Sequence, residues 1–165
     1  MATTAKLAHP IPPLFDKESR VLILGSFPSV KSREAMFFYG HPQNRFWRLL
    51  ALLFGEETPQ TVADKKRLIL SHHLALWDTI QSCTITGSSD SSIKDAVPND
   101  LSVILKHSRV EQIFCNGAAS YHLYQKYIFP QNGIAASKLP STSPANAAYS
   151  LERLAKEWKV ITETG

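Results

Sequence analysis

The sequence predicts an α/β fold: a three-layer sandwich whose central, mostly parallel four-stranded sheet is flanked by helices. Short apolar runs such as Arg20-Val-Leu-Ile-Leu-Gly25 lack the polar alternation of a half-exposed strand and read as strands buried on both faces. Segments of helical spacing separate those runs, as in a parallel sheet joined by crossover helices. The length, 165 residues, suits one core, since a chain near this size buries roughly 68–70% of its unfolded surface. One domain over 1–165 is therefore expected, with residues 1–19 as an N-terminal arm.

The arm is assigned from Pro10, Pro12 and Pro13, which interrupt regular structure. Residues 20–25 form the first strand, and a loop of Ser, Pro, Lys, Gly and aromatics follows to His41. Pro42 suits a first helical position. Phe46, Leu49, Leu50, Leu53 and Phe54 then share one helical face, and Gly55 stops the helix. Thr61-Val-Ala-Asp64 opens a helix running to about Ser71. Leu74–Trp77 is the second strand, and residues 84–92 read as a flexible polar loop without core residues. Asp100 caps a short helix carrying Leu101, Ile104 and Leu105. Val110–Cys115 is the third strand, Asn116-Gly117 a turn, 118–128 a helix and Ala135–Leu139 the fourth strand. Ser143-Pro144 opens the last helix, with Ala147, Leu151, Leu154 and Trp158 facing inward.

Composition excludes several classes. Hydrophobic residues are 44% and charged residues 19%, which is globular rather than disordered. No run approaches the ~18 apolar residues of a membrane span, and no signal pattern opens the chain. Cys83 and Cys115 cannot build a four-cysteine zinc or iron–sulfur site, and they read as buried apolar thiols; His72-His73 reads as a helix end. No metal and no cofactor is expected. Eighteen Lys and Arg against fourteen Asp and Glu give a net charge of +4, which permits a polyanionic partner without requiring one.

Ligands of open parallel sheets bind beyond the carboxyl ends of the strands, here loops 26–41, 78–92, 116–117 and 140–143. Three stretches there carry candidate chemistry. Gly25-Ser-Phe-Pro-Ser29 can bring backbone N–H groups close to an anion or polar edge, yet its spacing is neither a phosphate loop nor a nucleophile elbow. Phe37-Phe-Tyr-Gly-His-Pro-Gln-Asn-Arg-Phe-Trp47 sets three consecutive aromatics before a glycine, costly in water unless they pack on something flat. Phe46 and Trp47 belong to the core, and His41 and Asn44 suit helix caps. Leu139-Pro-Ser-Thr-Ser-Pro-Ala-Asn146 offers small hydroxyls in a stiff loop able to grip phosphate oxygens.

Together these stretches resemble the motifs of the uracil-DNA glycosylase superfamily, and most closely its hypoxanthine (deoxyinosine) DNA glycosylase branch. The likeness spans residues 14–158 with the motifs in the same order. It implies a monofunctional base-excision repair enzyme that flips a deaminated base from double-stranded DNA and hydrolyses its N-glycosidic bond. Hypoxanthine is the implied base; uracil in G·U or A·U pairs, or lesion binding without catalysis, are the alternatives. The branch's catalytic asparagine falls on Asn44. Where several superfamily members carry Asp or Asn to handle the attacking water, this sequence has Phe27. Phe27, Phe37, Tyr39, His41 and Asp78 are the expected base-pocket residues, Asp78 accepting from an N–H of the base. Ser29, Lys31, Ser32, Ser141, Thr142 and Ser143 are expected DNA contacts, with no strand-nicking role for Lys31. Asp90, Ser91 and Ser92 belong either to the pocket rim or to a solvated loop. The expected partner is DNA alone, with no membrane, and the chain is expected to act as a monomer in the cytoplasm of a bacterium or archaeon.

Overall fold

The computed structural model of the chain describes residues 4–9, 11–27, 30–86 and 92–163. Four strands form its central sheet: β2 (Val21–Gly25), β3 (Leu74–Asp78), β6 (Gln112–Asn116) and β7 (Ala136–Leu139), side by side in the order β3-β2-β6-β7 and all parallel. β2 and β3 are buried at every position, which is why their sequences run apolar without alternation. Register sets Gly25 beside Asp78, and Asn116 beside Leu139, so the ends of all four strands lie at one edge.

Helices supply the other layers. Between β2 and β3 come α1 (Val30–Ala35), α2 (Phe46–Phe54) and α3 (Val62–Ser71); between β6 and β7 come α5 (Ala118–Leu123), a π-helical turn over Tyr124–Ile128 and α6 (Phe129–Asn132). The order of the parallel strands reverses at β2, so right-handed crossovers send these two connections to opposite faces of the sheet. α4 (Ser102–Leu105) precedes β6, and α7 (Leu151–Trp158) closes the fold by packing against α2. Gly55, at a φ of 66°, ends α2 in the left-handed conformation and returns its N–H to Ala51 and Leu52. Thr61 caps α3 by accepting from the Asp64 N–H, as the sequence pattern predicts. Cys83 and Cys115 are buried, and burial pushes the Cys115 thiol up to about 12.

Four expectations are corrected. Part of the N-terminal arm is a strand: β1 (Thr4–Ala8) pairs antiparallel with β4 (Ile80–Thr86), which pairs with β5 (Lys94–Pro98) in a second, three-stranded sheet. Beyond it Ile11 and Leu14 are buried, and Leu14 exchanges backbone hydrogen bonds with Leu76. The 84–92 loop begins as strand through Thr86, with Ile85 in the core; residues 87–91 lie outside the described residues. The helix expected from Pro42 starts at Phe46, because residues 41–45 form turns of their own. The last helix starts at Leu151, where Ser150 accepts from the Arg153 N–H, and Ala147 is exposed.

Candidate active site

A cleft of about 340 Å³ opens at the carboxyl edge of the central sheet, within the size range of small-ligand sites. Gly25, Ser26 and Phe27 line it from the end of β2, Asp78 from β3, Asn116 from β6, and residues 141–145 from the loop after β7; Phe38, Tyr39, His41 and Asn44 come from the segment before α2. Each strand ends by delivering one wall, at the point where the strand order reverses.

Asn44 reaches this cleft with a fixed polarity. Its Oδ1 accepts from the Phe46 N–H at 3.0 Å and from the Thr142 hydroxyl at 2.7 Å. That hydroxyl in turn accepts from Asn116 Nδ2 at 3.0 Å, while Asn116 Oδ1 accepts from the Thr142 N–H at 3.0 Å. Every donor in the chain is assigned: Asn116 to Thr142, Thr142 to Asn44. Both lone pairs of Oδ1 are used, so Asn44 presents its Nδ2 hydrogens, for which the described residues supply no partner. Asn44 thus closes the turn before α2, whose N-cap position is Arg45, and turns its Nδ2 away from it.

Asp78 is also held. It is 4% exposed, and its Oδ2 accepts from His9 Nε2 at 2.7 Å. Its Oδ1 lies over Gly25, where a methyl group on the glycine would overlap it, and accepts no hydrogen bond from the described residues. Gly25 is needed for that close approach rather than for an unusual backbone angle.

The aromatic block divides. Phe38 and Tyr39 line the cleft, and the Tyr39 ring stacks on Phe46 with centroids 3.9 Å apart. Phe37 does not line it: the ring packs in the core against Trp47 and Phe38. Phe27 lines the cleft, 6% exposed, with the Arg33 guanidinium 5.7 Å from its centroid. His41 lines the cleft half-buried, its Nδ1 accepting from the Gln43 N–H.

The expected DNA contacts divide too. Ser141 and Ser143 are partly exposed on the cleft wall. Thr142 is fully buried and holds Asn44, so its hydroxyl is not available to a phosphate. Ser32 also lines the cleft but is 3% exposed, and its Oγ accepts from the Gly40 N–H, which ties α1 to the aromatic turn. Lys31 lies within α1, and Ser29, Asp90 and Ser91 are outside the described residues. Ser92 closes the end of β4 by accepting from the Thr86 N–H.

Sequence reasoning missed Phe38, which lines the cleft where Phe37 was expected, and three polar or charged residues. His9 carries no periodic signal in a proline-rich arm, and Asn116 reads as half of a turn. Arg45 appears in the motif without a role, yet its guanidinium donates to the carbonyls of Ser143 and Asn146, at 2.9 and 3.0 Å, and to that of Tyr149. One side chain thereby fixes the loop opposite the Asn44 turn. Among the described residues, no three His, Cys, Asp or Glu side chains gather to hold a metal ion, and no helix is long and apolar enough to cross a membrane.

Known proteins resemble this chain over most of its length. A hypoxanthine DNA glycosylase of Methanosarcina acetivorans is 32% identical over 151 residues, covering 91% of this chain and 94% of that protein. One from Methanosarcina barkeri is 37% identical over 95 residues, 56% of this chain and 60% of that one. The solution NMR structure of a candidate uracil DNA glycosylase from Methanosarcina acetivorans superposes with a TM-score of 0.78 at 30% identity, covering 93% of this chain and 95% of that one. The model of the Uracil DNA glycosylase superfamily matches residues 12–164, nearly the whole of the chain, and to that superfamily the chain belongs.

Proposed function

We propose that the protein is a monofunctional DNA glycosylase that removes hypoxanthine from deoxyinosine in double-stranded DNA and leaves an abasic site. The observation that carries the reading is the Asn44 amide, held donor-outward in a base-sized cleft. The relatives named hypoxanthine DNA glycosylases support the choice of base.

The nucleotide must leave the helix to enter the cleft, at a cost of a few kcal/mol of stacking and pairing. Phe27, Phe38 and Tyr39 offer aromatic surface to a planar base. Asp78 Oδ1 accepts the N1–H of hypoxanthine. The bond from C1′ to N9 then breaks with its electron pair passing to the base. Nδ2 of Asn44 donates to the negative charge growing there; with both Oδ1 lone pairs occupied, this residue does not remove a proton from water. Phe27 has no group that could do so. Bond breaking therefore runs ahead of attack, and water adds to an oxocarbenium-like sugar, its surplus proton going to solvent or to the departing base. Ser141 and Ser143 hold the flanking phosphates, and a single copy of the chain suffices for the reaction.

Single-turnover base release, with enzyme in excess over duplexes carrying one deoxyinosine or one deoxyuridine, tests the reading. Alkali-revealed abasic sites at deoxyinosine are expected, with no cleavage before alkali. Asn44→Ala should slow release by at least ~10²-fold, the scale of one lost transition-state donor. Release of uracil alone would change the substrate and keep the mechanism. Tight binding without abasic product from either base would make the protein a lesion binder.

A further inference from the structure

The reading of Asp78 leaves one buried group without a part. His9 lies sixty-nine residues from Asp78 in sequence and reaches it from the segment after β1. Its Nδ1 accepts from the Ile11 N–H at 3.2 Å, so Nε2 carries the proton donated to Asp78 Oδ2. The side chains of the pair are 2% and 6% exposed. Phe27 and Trp77 meet the imidazole edge-on, with centroids 5.9 and 6.3 Å away, and Trp77 donates its own N–H to the Ile11 carbonyl. Such a ring cannot turn without breaking two hydrogen bonds and displacing two aromatic neighbours.

We propose that His9 is a positioning residue: its Nε2–H pins one oxygen of Asp78, so that the other is presented to the cleft as a fixed hydrogen-bond acceptor. The proposal rests on the Asp78 contact of the previous subsection and adds a consequence for selectivity. Deamination turns N1 of adenine, an acceptor, into the N1–H of hypoxanthine, and N3 of cytosine into the N3–H of uracil. A pinned acceptor takes the deaminated member of each pair and repels the parent, lone pair against lone pair. Guanine presents the same N–H, so this contact separates hypoxanthine from adenine and not from guanine.

The arrangement makes a prediction that ordinary scaffolding does not. An asparagine at 78 would give its oxygen to the His9 N–H and turn its NH₂ into the cleft, donor against the donor of the base. Without His9 that amide is free to rotate and offer its oxygen. His9→Ala should therefore slow hypoxanthine release about 10-fold when residue 78 is Asp and accelerate it when residue 78 is Asn. Asp78→Asn alone should cost about 10- to 100-fold, the range for a buried polar group facing the wrong partner. His9→Gln, whose amide N–H reaches a similar place, should keep near-native rates beside Asp78.

The experiment is single-turnover release from a deoxyinosine duplex by the wild type, the two single variants, the double variant and His9→Gln, each checked for an unchanged far-ultraviolet spectrum. Opposite signs for His9→Ala in the two backgrounds support the proposal. Equal losses in both backgrounds make His9 a packing residue and overturn it. An Asp78→Asn variant that cleaves normally overturns it too, by removing the contact on which it rests. Should the wild type release only uracil, the same cycle is read on uracil, whose N3–H makes the same contact. A wild type inert toward both bases overturns the proposed function and this inference with it.

Discussion

Asn44 owes its orientation to two atoms that belong to other residues. The Phe46 N–H and the Thr142 hydroxyl fill its oxygen, and only for that reason does its nitrogen face the cleft. Thr142→Val keeps the shape of the side chain and deletes the relay, leaving Asn116 Nδ2 without its acceptor and Asn44 free to flip. We expect release to fall at least 10-fold and stability to drop by about 1–3 kcal/mol, the cost of a buried unsatisfied polar group. Thr142→Ser should restore both, as single-turnover rates and denaturant titration will show. Asn44 was legible because the motif around it is contiguous. The relay was not, since Asn116 and Thr142 meet it across seventy-two and ninety-eight residues of chain. Phe37 shows a different limit. Met36 and Tyr39 both adopt left-handed backbone, at φ of 55° and 53°, so the chain turns twice within four residues and no periodicity tells which aromatic faces inward.

Among the elements, all four strands of the central sheet lie within a residue or two of their expected bounds; β2 and β3 are the plainest, because a strand buried on both faces has little freedom in composition. The second sheet was less legible. β4 buries only scattered positions and β5 none, over a short span beside a Gly-Ser-Ser stretch, and the prolines after β1 outweigh a five-residue strand. The start of α7 was misread for an energetic reason. Ser143-Pro144 has the sequence of a helix start, yet Arg45 holds the Ser143, Asn146 and Tyr149 carbonyls in turns until Ser150 takes over as cap. Arg45→Lys should loosen that loop, because an ammonium lacks the planar fork that serves three carbonyls at once. The expected result is about 10-fold weaker capture of a deoxyinosine duplex with little change in the rate once bound. Faster amide exchange confined to residues 141–149 would accompany it, and unchanged exchange there would assign the loop's order elsewhere.

For the whole molecule, the two sheets share an edge of the site. β3 passes to β4 through Thr79 alone, and the cleft draws on both: Asp78 from one sheet, pinned by His9 beyond a strand of the other. We expect the chain to unfold as a single domain. Trp47, Trp77 and Trp158 are all buried, in α2, in β3 beside His9, and at the end of α7. Their fluorescence and the loss of base release should follow one common denaturant transition. A transition in activity preceding that of fluorescence would mean that the smaller sheet and β1 come away first.

The pairing of β1 with β4 also has a consequence in time. Residues 4–8 are made well before their partner, which is complete only at Thr86. At ~5–20 residues per second of synthesis, β1 waits several seconds on the ribosome with nothing to pair with. A short β segment left open for that long invites pairing with neighbouring chains. Its sequence, Thr-Ala-Lys-Leu-Ala, sets a lysine at the centre, the residue type with which natural sheet edges resist such pairing. β1 stays at the edge of its sheet after folding, so the same charge serves the interval and the finished edge, and a neutral residue at position 6 would be felt in the yield of soluble protein before it was felt in the rate.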